Sequence, residues 1–263
     1  MEIIYNNAKI HYRVEGKGNA LVLLHGFTES LDIWDEFSAE LSLYFKVICI
    51  DLPGHGKSDC LSEIHSMELM ADCVHAALKE QNITECVMIG HSMGGYVALA
   101  YAEKYPGYMK GLGLFHSSAL ADTPEGKTNR AKAIKVIENN HSGFIMNFIP
   151  DLFAPANRKT FEKEINALIK KAQSLSKQAI IAAQRGMMER RDMRHILKNA
   201  TYPVLFIAGK QDVRVPFEKI LEQITLPKDS SSLLLHDIAH MGYLEAGEKT
   251  IYAVKCFAER ASC

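Results

Sequence analysis

A serine set between glycines, with an aspartate and a histidine far downstream, has the residue types needed for nucleophilic acyl transfer. Ser92 lies in the run Gly90-His91-Ser92-Met93-Gly94-Gly95. The apolar run Cys86–Ile89 before it predicts a short buried strand, and Tyr96–Ala102 after it predicts a helix. A serine at such a sharp strand-to-helix turn projects its hydroxyl out of the sheet. Gly90 and Gly94 stand where a Cβ would meet tight backbone. G-x-S-x-G alone recurs by chance, so its weight comes from the strand and helix that flank it. A serine hydroxyl is a weak nucleophile until a base takes its proton, and the chain must also supply a group to orient that base.

The remaining candidates come from strand ends. Pro203–Gly209 reads as a buried strand leading into Lys210-Gln211-Asp212, which puts Asp212 just past its C-terminal end. Ser232–His236 reads as another strand, and His240 falls in the loop that follows. Both then lie on the sheet edge that carries Ser92, where parallel sheets gather their chemistry. The order serine, acid, histidine is the one this type of turn takes. His236 reads as a rim residue, Asp237 as aimed away from the turn, and Asp229, among Lys228 and serines, as part of a solvated turn. His91 and His116 read as buried, hydrogen-bonded structural residues.

Two further stretches add to this pattern. Leu21-Val22-Leu23-Leu24-His25-Gly26-Phe27 is a strand run ending in His-Gly-aromatic, and Asp51-Leu52-Pro53-Gly54-His55-Gly56-Lys57-Ser58 follows the strand run Val47–Ile50. With these, the chain resembles the α/β-hydrolase family, in particular serine esterases and lipases with a helical cap, over almost its full length. The resemblance implies a mostly parallel central sheet flanked by helices, with an inserted all-helical cap. It also implies an oxyanion hole made by the backbone N–H groups of Phe27 and Met93, whose dipoles would face the oxygen that becomes negative. The Asp51–Ser58 run lacks the spacing of a phosphate-binding loop and reads as structural. The chain departs from the family at Glu245-Ala246-Gly247, where E-x-P is common.

Composition agrees with such a fold. The 263 residues are 48% hydrophobic, enough for a full α/β core, and 30 Lys and Arg nearly balance 31 Asp and Glu. Nothing in that balance points to nucleic acid. No apolar run reaches membrane-spanning length, and the first residues lack the basic start of a secretion signal. The six cysteines, at 49, 60, 73, 86, 256 and 263, show no metal-ligand spacing, so no metal and no organic cofactor are expected. Cys49 and Cys86 fall in buried strand runs, and a reducing cytoplasm is the expected location.

Along the chain, Glu2–Tyr5 and Lys9–Val14 flank Asn6-Asn7 as an N-terminal hairpin. Helices are expected around Trp34–Tyr44, Met67–Gln81 and Met93–Lys104, and from Gly247 to Ala261. The alternation of strand and helix stops after the run Gly111–Phe115. From residue 119 to 198 the pattern is continuously helical, which divides the chain into a core (1–118 and 199–263) and a cap (119–198). That segment carries a net charge of +7 and the rest −8. Its basic residues could steer an anionic substrate, although solvated helix faces account for most such charges.

The runs Phe144–Ile149 and Met187-Met188 of the segment are expected to cover the sheet edge above Ser92. Met146, Phe148 and Met188 would line an acyl pocket from the cap side, and Trp34, Phe115, Val215 and Met241 from the core side. The expected activity is hydrolysis of carboxylic esters with small to medium acyl chains through an acyl-enzyme, acting on a small-molecule ester. A lactonase and a carbon–carbon bond hydrolase stand as alternatives on the same three residues, with Arg185, Arg190, Arg191 and Arg194 as candidates to hold a carboxylate. A ligand receptor with slow turnover is the alternative from another class. The oligomeric state is not readable.

Overall fold

The apolar runs become the strands of a single sheet in a computed structural model of the protein, which describes residues 1–262. The strands are β1 (Glu2–Tyr5), β2 (Ala8–Glu15), β3 (Ala20–Leu24), β4 (Lys46–Ile50), β5 (Cys86–His91), β6 (Met109–Phe115), β7 (Val204–Gly209) and β8 (Ser230–Leu235). Their order across the sheet is β1-β2-β4-β3-β5-β6-β7-β8. β2 runs antiparallel to β1 and β4, and the rest pair in parallel. Every residue of β3, β5 and β7 is buried, which is why those segments read as continuous apolar runs rather than alternating ones. Asn6 and Asn7 both have positive φ, the geometry of a two-residue hairpin turn that asparagine tolerates.

The helices are α1 (Asp35–Leu41), α2 (Met67–Glu80), α3 (Met93–Lys104), α4 (Pro124–Phe148), α5 (Glu162–Gln173), α6 (Lys177–Glu189), α7 (Arg194–Asn199), α8 (Phe217–Ile224), α9 (Gly242–Glu245) and α10 (Gly247–Ala261). α2 and α3 pack on each other and on the sheet, as do α1 and α10. α1 stops at Leu41, three residues before the expected end, and a 3-10 turn at Leu31–Trp34 precedes it. α10 has the expected span.

Between β6 and β7 the chain forms α4 to α7 with no strand among them. Thr123 caps α4 through Gly126 N–H, and the helix bends at Asn140, where φ and ψ leave the helical region. The bend lets the last two turns of α4 fold over the sheet edge. α6 seats against the core through His65 N–H, which donates to Ala182 O at 3.0 Å. Gly186 makes that approach feasible, since a Cβ there would lie 1.7 Å from His65 O. Cys49, Cys73 and Cys86 are buried, and burial pushes their thiols up to about 12, while Cys60 and Cys256 are exposed. Cys263 lies outside the described residues. Among the described residues no helix is long and apolar enough to cross a membrane.

Candidate active site

Ser92 joins β5 to α3 with φ 50° and ψ −114°, a backbone conformation that a residue with a Cβ rarely adopts. The surroundings enforce it. A Cβ on Gly90 would come within 2.2 Å of Gly94 backbone, and one on Gly94 would come within 2.4 Å of Leu24 O. The start of α3 thus lies against the end of β3, and only glycines leave room for it. Gly26, just beyond β3, is so close to the turn that a Cβ there would be 3.2 Å from Ser92 Cβ.

Asp212 lies in the loop after β7 and is buried. Its Oδ1 accepts the backbone N–H groups of Arg214 at 2.8 Å and Val215 at 2.9 Å. Its Oδ2 accepts His240 Nδ1–H at 2.8 Å and His116 Nδ1–H at 3.2 Å. Burial alone would raise the carboxyl. The two imidazoles overturn that and hold it well below the ordinary carboxylate range. Burial brings His116 down to about 4 against the pull of Asp212, so its ring is neutral at physiological pH, and its buried Nε2 has no partner among the described residues. His116, Asp212 and His240 are the set of possible metal ligands that cluster within 4.8 Å among the described residues. Both imidazoles spend Nδ1 on the same Asp212 oxygen, so an ion there would have to displace both N–H protons.

His240 gives Nδ1 to Asp212, which leaves Nε2 for the cavity that His240 and Ser92 both line. Phe27 lines the same cavity. Among the described residues the backbone N–H groups of Phe27 and Met93 reach no acceptor, and Met93 is the first residue of α3, where helical N–H groups are orphaned. The loop carrying Phe27 is fixed from behind. His25 Nδ1–H donates to Gly26 O at 2.8 Å and its Nε2 accepts Leu52 N–H at 2.9 Å. Burial lowers this imidazole, which fits a neutral ring bridging two loops. The Asp51–Ser58 turn wraps its own carboxylate: Asp51 accepts N–H groups of Leu31 and Lys57, and His11 Nδ1 lies 2.8 Å away.

Glu29 is a site element that the sequence did not reveal. It is 5% exposed and accepts Gly26 N–H at 2.5 Å, His91 Nδ1–H at 3.0 Å and Tyr243 O–H at 3.1 Å. His91 Nε2–H donates onward to His240 O at 2.9 Å. Both ring nitrogens of His91 face acceptors, so the ring holds both protons. Burial would lower this imidazole, and Glu29 overcomes that and raises it; in the same way His91 holds the Glu29 carboxyl down against burial. The pair ties the Phe27 loop, the residue before Ser92 and the His240 loop into one unit.

The cavity measures about 300 Å³, and Phe148 and Val215 line it as expected. Five other expected lining residues do not. Trp34, Phe115 and Met241 are fully buried in the core, where Trp34 packs on Phe37, Phe115 and Tyr243. Met146 is 57% exposed, on a different face of α4 from Phe144 and Phe148, which stack and line the cavity. Met188 is half-buried off the lining, and its neighbour Met187 takes the position, about 100° away around α6. The polar lining includes Tyr96, Asp122, Asn129, Arg130, Gln184 and Arg214. His236 and Asp237 pair with each other on the surface, and Asp229 pairs with Arg260.

Residues 19–155 match the family profile described as the alpha/beta hydrolase fold. The chain is 28% identical over 217 residues to a pimeloyl-[acyl-carrier protein] methyl ester esterase of Nitrosomonas europaea, covering 80% of this chain and 83% of that protein. It is 26% identical over 244 residues to the dihydrolipoyllysine-residue acetyltransferase component of an acetoin cleaving system from Pseudomonas putida, covering 92% of this chain. The match spans 64% of that relative's length, and matches to mycobacterial proteins span 28% of theirs. Among solved structures, a thermophilic esterase from Thermogutta terrifontis superposes with a TM-score of 0.92 at 28% identity, over 97% of this chain and 95% of that one. The enol-lactonase from Burkholderia xenovorans superposes with a TM-score of 0.89 at 19% identity, over 98% and 99%, which speaks to the fold.

Proposed function

The chain belongs to the alpha/beta hydrolase fold family, and from that premise we propose that it is a serine hydrolase of carboxylic esters with small to medium acyl chains. The observation that carries this reading is the constrained turn at Ser92, sharing one cavity with a histidine whose other nitrogen is held by a buried carboxylate. Ser92 Oγ attacks the ester carbonyl while His240 Nε2 takes its proton. Asp212, accepting four donors, stays ionised, fixes the tautomer that leaves Nε2 unprotonated, and stabilises the imidazolium that forms. The carbonyl oxygen becomes an alkoxide, and the N–H groups of Phe27 and Met93 receive it. Collapse breaks the C–O bond, and His240 returns the proton to the departing alcohol. Water, deprotonated by His240, then attacks the acyl-serine; the bond from the acyl carbon to Ser92 Oγ breaks, the carboxylic acid leaves, and His240 returns the proton to Oγ.

In this reading residues 119–198 act as a cap, with Phe144, Phe148, Gln184 and Met187 closing the acyl pocket. The names of the esterase relatives support ester hydrolysis, and the free cysteines suit a reducing cytoplasm. The test is a fluorophosphonate label together with p-nitrophenyl esters of graded chain length. The wild type should label and turn over continuously, with shorter chains preferred. Ser92→Ala should lose the label and lower turnover by about 10⁵ to 10⁶. Labelling that survives the substitution would mean another nucleophile. A single burst with no steady state would support the receptor alternative.

A further inference from the structure

The cavity above Ser92 is lined by three charged side chains besides His240: Asp122, Arg130 and Arg214. Asp122 is already spent. One of its oxygens pairs with Arg130 Nε at 2.5 Å and the other with Arg190 Nη1 at 2.7 Å, so one carboxylate is shared between two guanidinium groups. Arg130 is also tied to Gln184 Oε1 at 2.9 Å. Arg214 is different. Among the described residues no carboxylate lies within ion-pair distance of its guanidinium, and Asp151 on the nearby segment is paired with Arg158. The cavity wall therefore carries a surplus of positive charge beside a nucleophile whose transition state needs only two backbone donors for its own oxyanion.

Arg214 is also positioned. Its backbone N–H is held by Asp212 at 2.8 Å, and its guanidinium lies over the Phe148 ring, 4.7 Å from the centroid. Stacking on an aromatic ring uses the face of the guanidinium and leaves its N–H edge free, the edge that matches a carboxylate with two parallel hydrogen bonds. Burial lowers this guanidinium from its ordinary value and Arg130 pushes it the same way; Asp151 and Asp212 pull it back without overcoming the burial, so an anion placed between the two arginines would relieve both further.

We infer that the cavity takes an ester that also carries a carboxylate, and that Arg214, assisted by Arg130, is the site of that carboxylate. This deepens the esterase reading and rests on it for the reacting bond. Bidentate pairing would orient the substrate, so that the scissile carbonyl meets Ser92 in one pose. The class of substrate is a monoester of a dicarboxylic acid, or the ester of a hydroxy acid if the charge sits on the alcohol side.

The experiment compares kcat/KM for monomethyl esters of succinic, glutaric and adipic acids with those of methyl alkanoates of matched length. O-acetyl hydroxy acids against alkyl acetates form the second arm and separate the acyl-side from the alcohol-side placement. The wild type should favour the charged member of one series by about ten- to hundredfold, the size expected of a hydrogen-bonded charge pair. Arg214→Met should bring that ratio close to one and Arg214→Lys should restore part of it. A general loss of activity or fold cancels from the ratio. Equal rates on charged and neutral esters in the wild type, or a preference that survives Arg214→Met, would overturn the inference while leaving the esterase reading intact. Calorimetric titration of monomethyl glutarate and monoacetyl glycolate into Ser92→Ala, with and without Arg214→Met, tests the site apart from turnover. Binding of either that needs Arg214 upholds the site even if no ester is cleaved, and absence of binding of both removes it.

Discussion

Replacing Glu29 with glutamine keeps the side chain's shape and removes one charge from the centre of the network behind the candidate site. In the native protein the carboxylate accepts three donors, from Gly26, His91 and Tyr243, and is 5% exposed. A glutamine oxygen can serve Gly26 and His91, and its NH₂ group can then donate to the Tyr243 oxygen, which leaves the tyrosine O–H without its acceptor. The unpaired buried donor costs about 1–3 kcal/mol. His91 also loses its counter-charge; breaking a buried ion pair costs about 3–5 kcal/mol when the survivor stays charged, and less here because the imidazole can release its proton. A destabilisation of about 3 kcal/mol follows, which for a chain of this size lowers Tm by about 6–12 °C. Because the network also holds His240 O and Gly26, kcat should fall by about tenfold with a smaller change in KM. The pH dependence has a definite sign. The lowered Glu29 carboxyl contributes stability above its unfolded value of about 4.3 and loses it as pH falls through the folded one. The raised His91 contributes fully below about 6.5 and loses it as pH rises through its folded value. The wild-type advantage should therefore be widest between about pH 4.5 and 6.5. Thermal melts of both proteins across that range are the assay. A Glu29→Gln protein melting within about 2 °C of wild type at pH 6 would refute the buried-pair account.

Asp212→Asn should retain the fold and lower kcat by about 10⁴, because one amide oxygen cannot serve both the backbone N–H pair of Arg214 and Val215 and the imidazole pair; the backbone pair keeps the oxygen, and an NH₂ group facing His240 Nδ1 imposes the wrong tautomer. Asp237→Asn changes an 87% exposed side chain that meets only His236, so its stability should stay within about 0.5 kcal/mol of wild type and its ester turnover should be unaltered; a larger loss there than in Asp212→Asn would move the acid to the other loop. Gly186→Ala places a methyl 1.7 Å from His65 O, a backbone atom that cannot swing aside. Overpacking of this kind costs about 1–3 kcal/mol, and an unchanged melting temperature would mean that α6 does not seat on the core as described.

What the sequence could show was whatever is encoded locally. The turn at Ser92 needs glycine at 90 and 94 whatever surrounds it, and those glycines are visible in a six-residue run. Asp212 and His240 were legible because each follows a buried apolar strand, and a parallel sheet puts those loop ends on one edge. The pocket lining was not, because it depends on which side of an element meets another. Met187 and Met188 are indistinguishable in composition, yet only the first faces the cavity. The bend at Asn140 redirects Phe144 and Phe148, and nothing in an amphipathic pattern announces that φ of −149°. Glu29 was invisible for a different reason: a glutamate after a strand reads as solvated until His91 and Tyr243, 62 and 214 residues away, are brought to it.

The same distinction governs the charge asymmetry of the chain. The sequence puts +7 on residues 119–198 and −8 on the rest, which suggests a field aimed at substrate. In the fold two of those cations, and a histidine, are spent across the seam between the two parts. Lys171 pairs with Asp32, Arg191 with Glu68 and Glu103, and His195 also reaches Glu103. Pairs this exposed are worth about 0–1 kcal/mol each, so together they align the helical segment on the sheet edge more than they stabilise it. Arg185 reaches only the Glu63 carbonyl, and Arg194 folds back on Asp192. None of these four arginines lines the cavity except through Arg190, whose charge reaches it by way of Asp122. The guanidinium that meets the cavity without a carboxylate partner among the described residues comes from the other part of the chain, two residues after Asp212, where net charge counted by segment gives no sign of it. A field read from composition is an average over a surface; the proposed recognition of an anion rests instead on a guanidinium that lines the cavity and, among the described residues, has no carboxylate within ion-pair distance.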